Sequence, residues 1–311
     1  KGISKALPDF DSVVMLPIEL PVYFDMSKGN RLGAVKSQPN GGCWASAAIG
    51  SVESVRRTFG YIGEDFSDDN LRLFHGFVDE RSTNGNHHMA TAYFTRGAGP
   101  LMSKPENDTV FKLSPELPFY INEARYLPND PEIIKRTIIN FGAVYSMMYH
   151  NKRELDTVTN IYYTRTKRIN HAVLIVGWND TMRTKKGIGT WIAQNSFGKK
   201  YGNKGYFYIP YSDPNILEYN AIWPGWIPFE RDSRIYYYDT LGSYHSYGFG
   251  DTVCYGLAKY TAETDIEITQ ISTFINSAGI TVSVEIFDEF NPATGVVSTS
   301  LYVKEPSPCI F

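Results

Sequence analysis

Three side chains in this chain are of types that together perform acyl transfer: a thiol at Cys43, an imidazole at His171 and a carboxamide at Asn195. A cysteine attacks a carbonyl as its thiolate, so its pKa must be drawn below about 8.5, which a helix N-terminus or an adjacent imidazolium does. Cys43 follows Gly41-Gly42 and opens a stretch in which Trp44, Ala48, Val52, Val55 and Phe59 recur at helical spacing. Its sulfur is expected at the positive end of a helix dipole, with two glycines letting the backbone turn in front of it. His171 opens the apolar run Ala172-Val173-Leu174-Ile175-Val176 and is expected at the end of a strand. Asn195 closes the strand pattern Trp191-Ile192-Ala193-Gln194 just ahead of Ser196-Phe197-Gly198. Each residue alone also fits a structural role: a small core thiol, a satisfied histidine, an asparagine in a turn. Their joint order and their common setting at element ends point to a nucleophile, its base and a group that orients the base.

The elements that must position them follow from the surrounding pattern. The Cys43 helix ends at Gly60, where a C-cap belongs, and Ser67 is the expected N-cap of a second helix through Phe74. Asp130-Pro131 opens a helix to Phe141, with Gly142 just past its end. Strands are expected over Ala143 to Tyr149, Ala172 to Trp178, Thr190 to Ser196 and Gly205 to Pro210. Residues 1–36, with Pro8, Pro17 and Pro21, read as an extended lead-in. Residues 79–118, rich in Gly, Asn, Pro and Ser, read as irregular, with a short helix around Met89 to Phe94. The run Trp223 to Pro228 reads as a linker. Beyond it, the alternation Thr281-Val282-Ser283-Val284-Glu285-Ile286-Phe287 signals half-buried antiparallel strands. The expected division is therefore 1–228 and a β-rich domain over 229–311, cut short at its C-terminal end.

The 311 residues, 42% hydrophobic and 20% charged, describe a globular chain with ample core material. A net charge of -3 with both signs interspersed offers no basic face, so nucleic acid is not an expected partner. The apolar run Ala172 to Trp178 is far too short to span a bilayer. Lys1 follows no initiator Met or signal peptide, so any targeting segment is expected to have been removed, and Cys309-Ile310-Phe311 ends within a strand pattern. Three cysteines are too few for a disulfide scaffold; with Cys43 set apart, Cys254 and Cys309 are either a bridge or two buried thiols. His75, His87 and His88 lack the companion ligands of a metal site, and their segment is read as an exposed loop. The Tyr- and Gly-rich tract from Gly242 to Gly250 has the composition of an adaptable binding loop and of an ordinary β-domain loop alike.

The stretch Gly42-Cys43-Trp44-Ala45 resembles the cysteine signature of the papain family. Asn170-His171-Ala172-Val173 with Val176-Gly177-Trp178 resembles its histidine strand. Gln194-Asn195-Ser196-Phe197-Gly198, then Tyr201-Gly202 and Gly205-Tyr206-Phe207, resembles its asparagine segment and following strand. The family places its His and Asn roughly 130–150 residues after the cysteine, a known spacing that this chain matches. The resemblance implies an α+β, two-lobed papain-like fold with a cleft between a helical and a β-rich lobe, and no cofactor or metal. It implies Cys43 as nucleophile, His171 as acid/base, Asn195 as orienting residue and Gln38 as an oxyanion donor beside the Cys43 backbone N–H. Gly85 and Asn86 would form a wall that pairs with a peptide substrate. Ile169, Asn170, Ala172 and Phe197 would line the neighbouring pockets, with an apolar preference at Ile169 and Ala172.

Three departures stand out. The loop from Gln38 to Cys43 is one residue shorter than usual in the family, no cysteine precedes the nucleophile, and Phe197 and Tyr201 replace two usual tryptophans. The C-terminal part, through Ile235-Tyr236-Tyr237-Tyr238-Asp239 and the later alternation, resembles the lectin-like, sandwich-like β-domain of some bacterial members. That similarity implies a secreted or cell-surface bacterial enzyme acting on proteins or peptides, with a glycan or surface ligand for the second domain. The rival readings are a catalytically impaired scaffold that binds glycans or proteins, and a deamidating or transglutaminating enzyme.

Overall fold

The computed structural model describes residues 19–38, 41–77, 84–103, 119–228, 230, 232–240, 256–274, 282–287, 290–291, 296–297 and 300–302. The chain divides into two compact units, Ile18–Ser272 and a smaller one containing Thr273–Phe311. Cys254, Cys309, the Gly242–Gly250 tract, Pro39 and Asn40 lie outside the described residues.

The larger unit is built on helix α1, Cys43–Thr58, which is buried along almost its whole length from Trp44 to Arg56. Small residues make that burial feasible. A Cβ on Gly50 would stand 2.6 Å from Leu174 Cδ1, so glycine lets the helix lie directly on the sheet. Ser51 Oγ donates to Ala143 O at 2.7 Å, and Ala143 N donates to Ser54 Oγ at 2.8 Å. These two bonds fix the height of the helix against the start of the adjoining strand. The helix ends as expected, ahead of Gly60 with φ +94°.

Helix α2, Asp68–Phe74, is capped by Ser67, whose Oγ accepts from Asn70 N at 3.0 Å. Helix α3 spans His87–Thr95. Helix α4, Pro131–Asn140, begins with Asp130 Oδ1 accepting from Glu132 N and Ile133 N at 2.8 and 3.1 Å. This pairing of an acidic cap with proline at the first turn satisfies the orphan amides without wasting a donor.

The strands of this unit are β1 (Tyr23–Asp25), β2 (Phe119–Ile121), β3 (Arg125–Leu127), β4 (Val144–Met148), β5 (Leu155–Asp156), β6 (Ile161–Tyr162), β7 (His171–Thr184), β8 (Gly187–Gln194), β9 (Tyr206–Pro210), β10 (Glu218–Ile222) and β11 (Trp226–Pro228). Nine of them form one sheet in the order β3-β10-β4-β7-β8-β9-β6-β5, with β1 also pairing β7. The long β7 is its centre, and its first eight residues are all buried. Helix α1 lies against β7 and β4, α4 packs on the same two strands, and α2 and α3 pack on α1, in an α+β arrangement.

Two expectations are corrected. Trp223 to Pro228 is core rather than linker: Trp223 is 1% exposed with Nε1 donating to Thr91 Oγ1 at 2.9 Å, and β11 pairs β2 in register Trp226 with Ile121. Proline and glycine broke the sequence pattern there, but two large indoles gain more from burial than the breaks cost. Likewise His87 and His88 are helix rather than loop, with His88 exposed as expected and His87 not. They open α3, and His87 is buried against Tyr126, Tyr145 and Tyr219 at ring distances of 5.3, 5.8 and 5.7 Å. His75 is also buried, edge-on to Trp44 at 5.9 Å.

In the smaller unit, β12 (Glu285–Phe287) pairs antiparallel with β15 (Ser300–Tyr302), and β13 (Phe290–Asn291) with β14 (Val296–Val297). In the larger unit, Ile235 to Asp239 carries no strand.

Candidate active site

Antiparallel pairing explains how residues far apart in sequence meet. β7 starts at His171 and β8 ends at Gln194, with Leu174 opposite Gln194, so His171 and Asn195 lie at one end of the same hairpin. His171 Nε2 stands 2.9 Å from Asn195 Oδ1. The carboxamide oxygen only accepts, so Nε2 carries the proton and Nδ1 is left for the other side of the ring. Asn195 Oδ1 accepts a second bond from Ser196 N at 2.8 Å. Both residues are buried, and Phe197 stacks on the His171 ring at 4.8 Å and 22°.

Cys43 reaches this corner because α1 lies on β7. The backbone N–H groups of Ala172, the residue after His171, of Trp44 and of Cys43 itself all act to lower the Cys43 pKa, which places the sulfur next to the start of β7. Gly42 is the N-cap and supplies no side-chain bond, so the helix start offers its amides and its dipole to an anion there.

Burial pushes the Cys43 thiol up, against the three N–H groups that lower it. Burial also pushes His171 down to about 3, with the charge of His150 adding to it and the Asn195 bond opposing it. For the Cys43 thiol, burial therefore outweighs the three neighbouring N–H groups. Each charge alone is disfavoured in this corner. Moving the proton from Cys43 to His171 creates both charges at once, and each then offsets the cost of the other.

Gln38 is tied to the same turn. Its N donates to Ser196 O at 2.8 Å, its Oε1 accepts from Ser196 Oγ, and Ser37 bridges Phe197. Holding the oxygen fixes which way the carboxamide faces. The shortened loop turns at Gly41, whose φ of +76° favours glycine.

Of the residues expected to contact a substrate, Gly85 packs against the indole of Trp44, next to Cys43 in sequence: a Cβ there would lie 2.3 Å from Trp44 Cε2. Asn86 caps α3, its Oδ1 accepting from His88 N at 2.9 Å and Met89 N at 3.1 Å. Asn170 clamps the backbone of His150, accepting from its N at 2.6 Å and donating to its O at 3.0 Å. Ile169 and Phe197 are partly exposed, at 37% and 38%, whereas Ala172 is fully buried and presents its backbone N–H.

Sequence reasoning missed His150, whose ring lies 5.0 Å from that of His171. The signal was available: β4 pairs Met148 with His171, so the chain leaving β4 must pass beside that imidazole. It also missed Tyr145, fully buried with an unpartnered Oη, whose phenol is raised well above its ordinary value by burial and then by the charge of Cys43. Among the described residues no group of three or more His, Cys, Asp or Glu could hold a metal ion. Among them, too, no helix is long and apolar enough to cross a membrane.

Residues 20–220 match the family described as papain family cysteine protease. The chain is 29% identical over 206 residues to a viral cathepsin of Adoxophyes honmai nucleopolyhedrovirus, covering 61% of this chain and 57% of that protein. It thus spans a little over half the length of that relative. In fold it is similar to the cysteine protease and lectin-like domains of a surface-layer-associated protein of Clostridium difficile, with TM-score 0.60 and 24% identity over 69% of this chain and 54% of that one. It is also similar to the bromelain protease of Ananas comosus, with TM-score 0.52 and 19% identity over 65% of this chain and 98% of that one.

Proposed function

This chain belongs to the papain family of cysteine proteases, and on that premise we propose that it is an endopeptidase working through Cys43, His171 and Asn195. The observation that carries the proposal is the His171 Nε2–Asn195 Oδ1 bond of 2.9 Å at the start of β7, the strand on which the Cys43 helix lies. Cys43 gives its proton to His171 and attacks the substrate carbonyl. The oxyanion takes hydrogen bonds from the Cys43 N–H and the Gln38 amide. His171 protonates the leaving amine, a thioester forms on Cys43, and a water activated by His171 hydrolyses it. Asn195 keeps the imidazole turned toward the sulfur while its charge changes.

In the same reading Gly85 and Asn86 form the wall along which a peptide lies, and Ile169, Asn170, Ala172 and Phe197 border the pockets beside the scissile bond. Residues 1–228 make up the peptidase domain and 229–311 a lectin-like domain with a glycan or surface ligand. The enzyme is placed outside the cell, on or near a bacterial surface. The likeness to the Clostridium difficile protein supports the last two points.

The test is mass spectrometry of the folded, reduced protein after incubation with an epoxide directed at papain-like sites, with Cys43→Ala as comparison. A single adduct on Cys43, blocked by prior peptide, is the expected result. An unlabelled Cys43 would sink the proposal and favour a scaffold that only binds.

A further inference from the structure

The residues around Asn195 leave one polar group unaccounted for. Asn195 Oδ1 is engaged twice, by His171 Nε2 and Ser196 N, whereas its Nδ2 is buried and makes no hydrogen bond among the described residues. An unpaired buried amide is costly. Burial raises the pKa of the nearby Tyr201 phenol, and the Asn195 side chain acts on it as a donor would, lowering it. Tyr201 Oη in turn lies 3.0 Å from His150 Nε2. His150 completes a ring, because its imidazole returns to within 5.0 Å of His171.

His150 is held firmly in that position. Asn170 clamps its backbone at both N and O, and its ring stacks on Tyr162 at 5.7 Å and 14°. Tyr162 is itself anchored, its Oη donating to Tyr149 O at 2.8 Å and accepting from Asn151 N at 3.1 Å. Phe197 closes the remaining side at 5.1 Å. The titratable groups facing His150 are therefore His171, Tyr201 and Tyr162.

We propose that Tyr201 and His150 are positioning residues that orient the Asn195 carboxamide, and through it the His171 imidazolium, by a chain of hydrogen bonds. In this reading Asn195 Nδ2, which makes no hydrogen bond among the described residues, turns to the Tyr201 oxygen when His171 takes up its proton, while the Tyr201 hydroxyl donates to His150 Nε2. With its Nδ2 so directed, the carboxamide holds Oδ1 toward His171, and a flip of the amide would break bonds at both ends. The chain requires His150 Nε2 to be an acceptor. Burial, which pushes His150 down to about 4, keeps it neutral wherever His171 must work, and the phenols of Tyr201 and Tyr162, both pushed up by burial, stay protonated. The inference rests on the reading of Asn195 as the residue that orients His171.

The probe is iodoacetate, an anion drawn to the imidazolium, so its rate of reaction with Cys43 falls when His171 loses its proton. Rates are measured against pH for the wild type, Tyr201→Phe, His150→Phe and the double variant. Each single change is expected to move the alkaline limb down by about half a pH unit or more, the scale of one net hydrogen bond. The double variant should move no further than either single one, because both break the same chain. His150→Gln, whose amide oxygen also accepts, should restore most of the loss. Tyr201→Phe removes a single oxygen, and an alkaline limb unchanged in this variant overturns the inference while leaving the triad intact. Additive shifts in the double variant would also overturn it. A wild-type Cys43 that reacts only where an ordinary thiol ionises would instead remove the triad reading beneath it.

Discussion

Replacing Lys36 with methionine should cost about 3–5 kcal/mol at neutral pH, the usual penalty for stripping the partner from a buried charge. Lys36 Nζ donates to Glu53 Oε1 at 2.9 Å, to Asp65 Oδ1 at 3.0 Å and to Phe66 O at 2.9 Å. Glu53 sits within α1 at 1% exposure, accepts from Phe66 N at 2.9 Å, and leaves Oε2 buried without a partner. The two partners respond differently to this setting. Burial works against the Lys36 charge, but the charge of Glu53 and the neighbouring acceptors outweigh it and the ammonium is held above its ordinary value. Glu53 is pushed up from 4.5, because its burial outweighs the pull of Lys36. Glu53 is thus the costly member, and without Lys36 only the Phe66 N–H is left to offset it.

The sign with pH follows. A carboxyl whose folded pKa lies above its unfolded one binds protons more tightly when folded, so its cost is absent at low pH and grows as pH rises past about 4.5. Urea unfolding of the wild type and Lys36→Met at pH 7 and pH 4.5 measures this directly. The variant's deficit should be largest at pH 7 and shrink at pH 4.5, and Lys36→Met combined with Glu53→Leu should recover much of it. A deficit below about 1 kcal/mol at pH 7, or one independent of pH, would refute the reasoning, since exposed pairs behave that way. Lys36 O also accepts from Gly198 N at 2.9 Å, so the same variant should slow alkylation of Cys43 by loosening the Asn195 turn.

Two further outcomes follow from the geometry. Gly85→Ala should lower stability by about 1–3 kcal/mol and slow Cys43 alkylation, because the new methyl meets the buried Trp44 ring at 2.3 Å; thermal melting with unchanged alkylation would contradict this. His87, pushed by burial to about 3 and held neutral, should make the fold lose stability as pH drops below 6.5. At pH 4 that single group accounts for about 3 kcal/mol, so His87→Leu should flatten the decline in melting temperature between pH 7 and 4, and a parallel decline in the variant would count against it.

Much of the site was legible in the sequence because local rules specify it. Glycines before a helical repeat placed Cys43 at a helix start, an apolar run placed His171 at a strand start, and Asp130-Pro131 marked α4 to within a residue. Resemblance to a known family then joined signals that were weak one by one. Other features depend on partners distant in sequence. Trp223 and Trp226 looked like a linker because proline and glycine interrupt local pattern, yet their burial is decided by β2 and α3. His87 resembled a loop residue because only the packing of Tyr126, Tyr145 and Tyr219 buries it. The helix start was visible as one influence on Cys43, while the burial that raises its pKa depends on everything packed around the sulfur. The sequence by itself determined which residue types stand at the ends of which elements, since periodicity and capping act over a few residues. Only the tertiary structure decided that His150 and Tyr201 close a ring around Asn195, since strand register, turn geometry and burial are properties of contacts between segments that the chain order does not display.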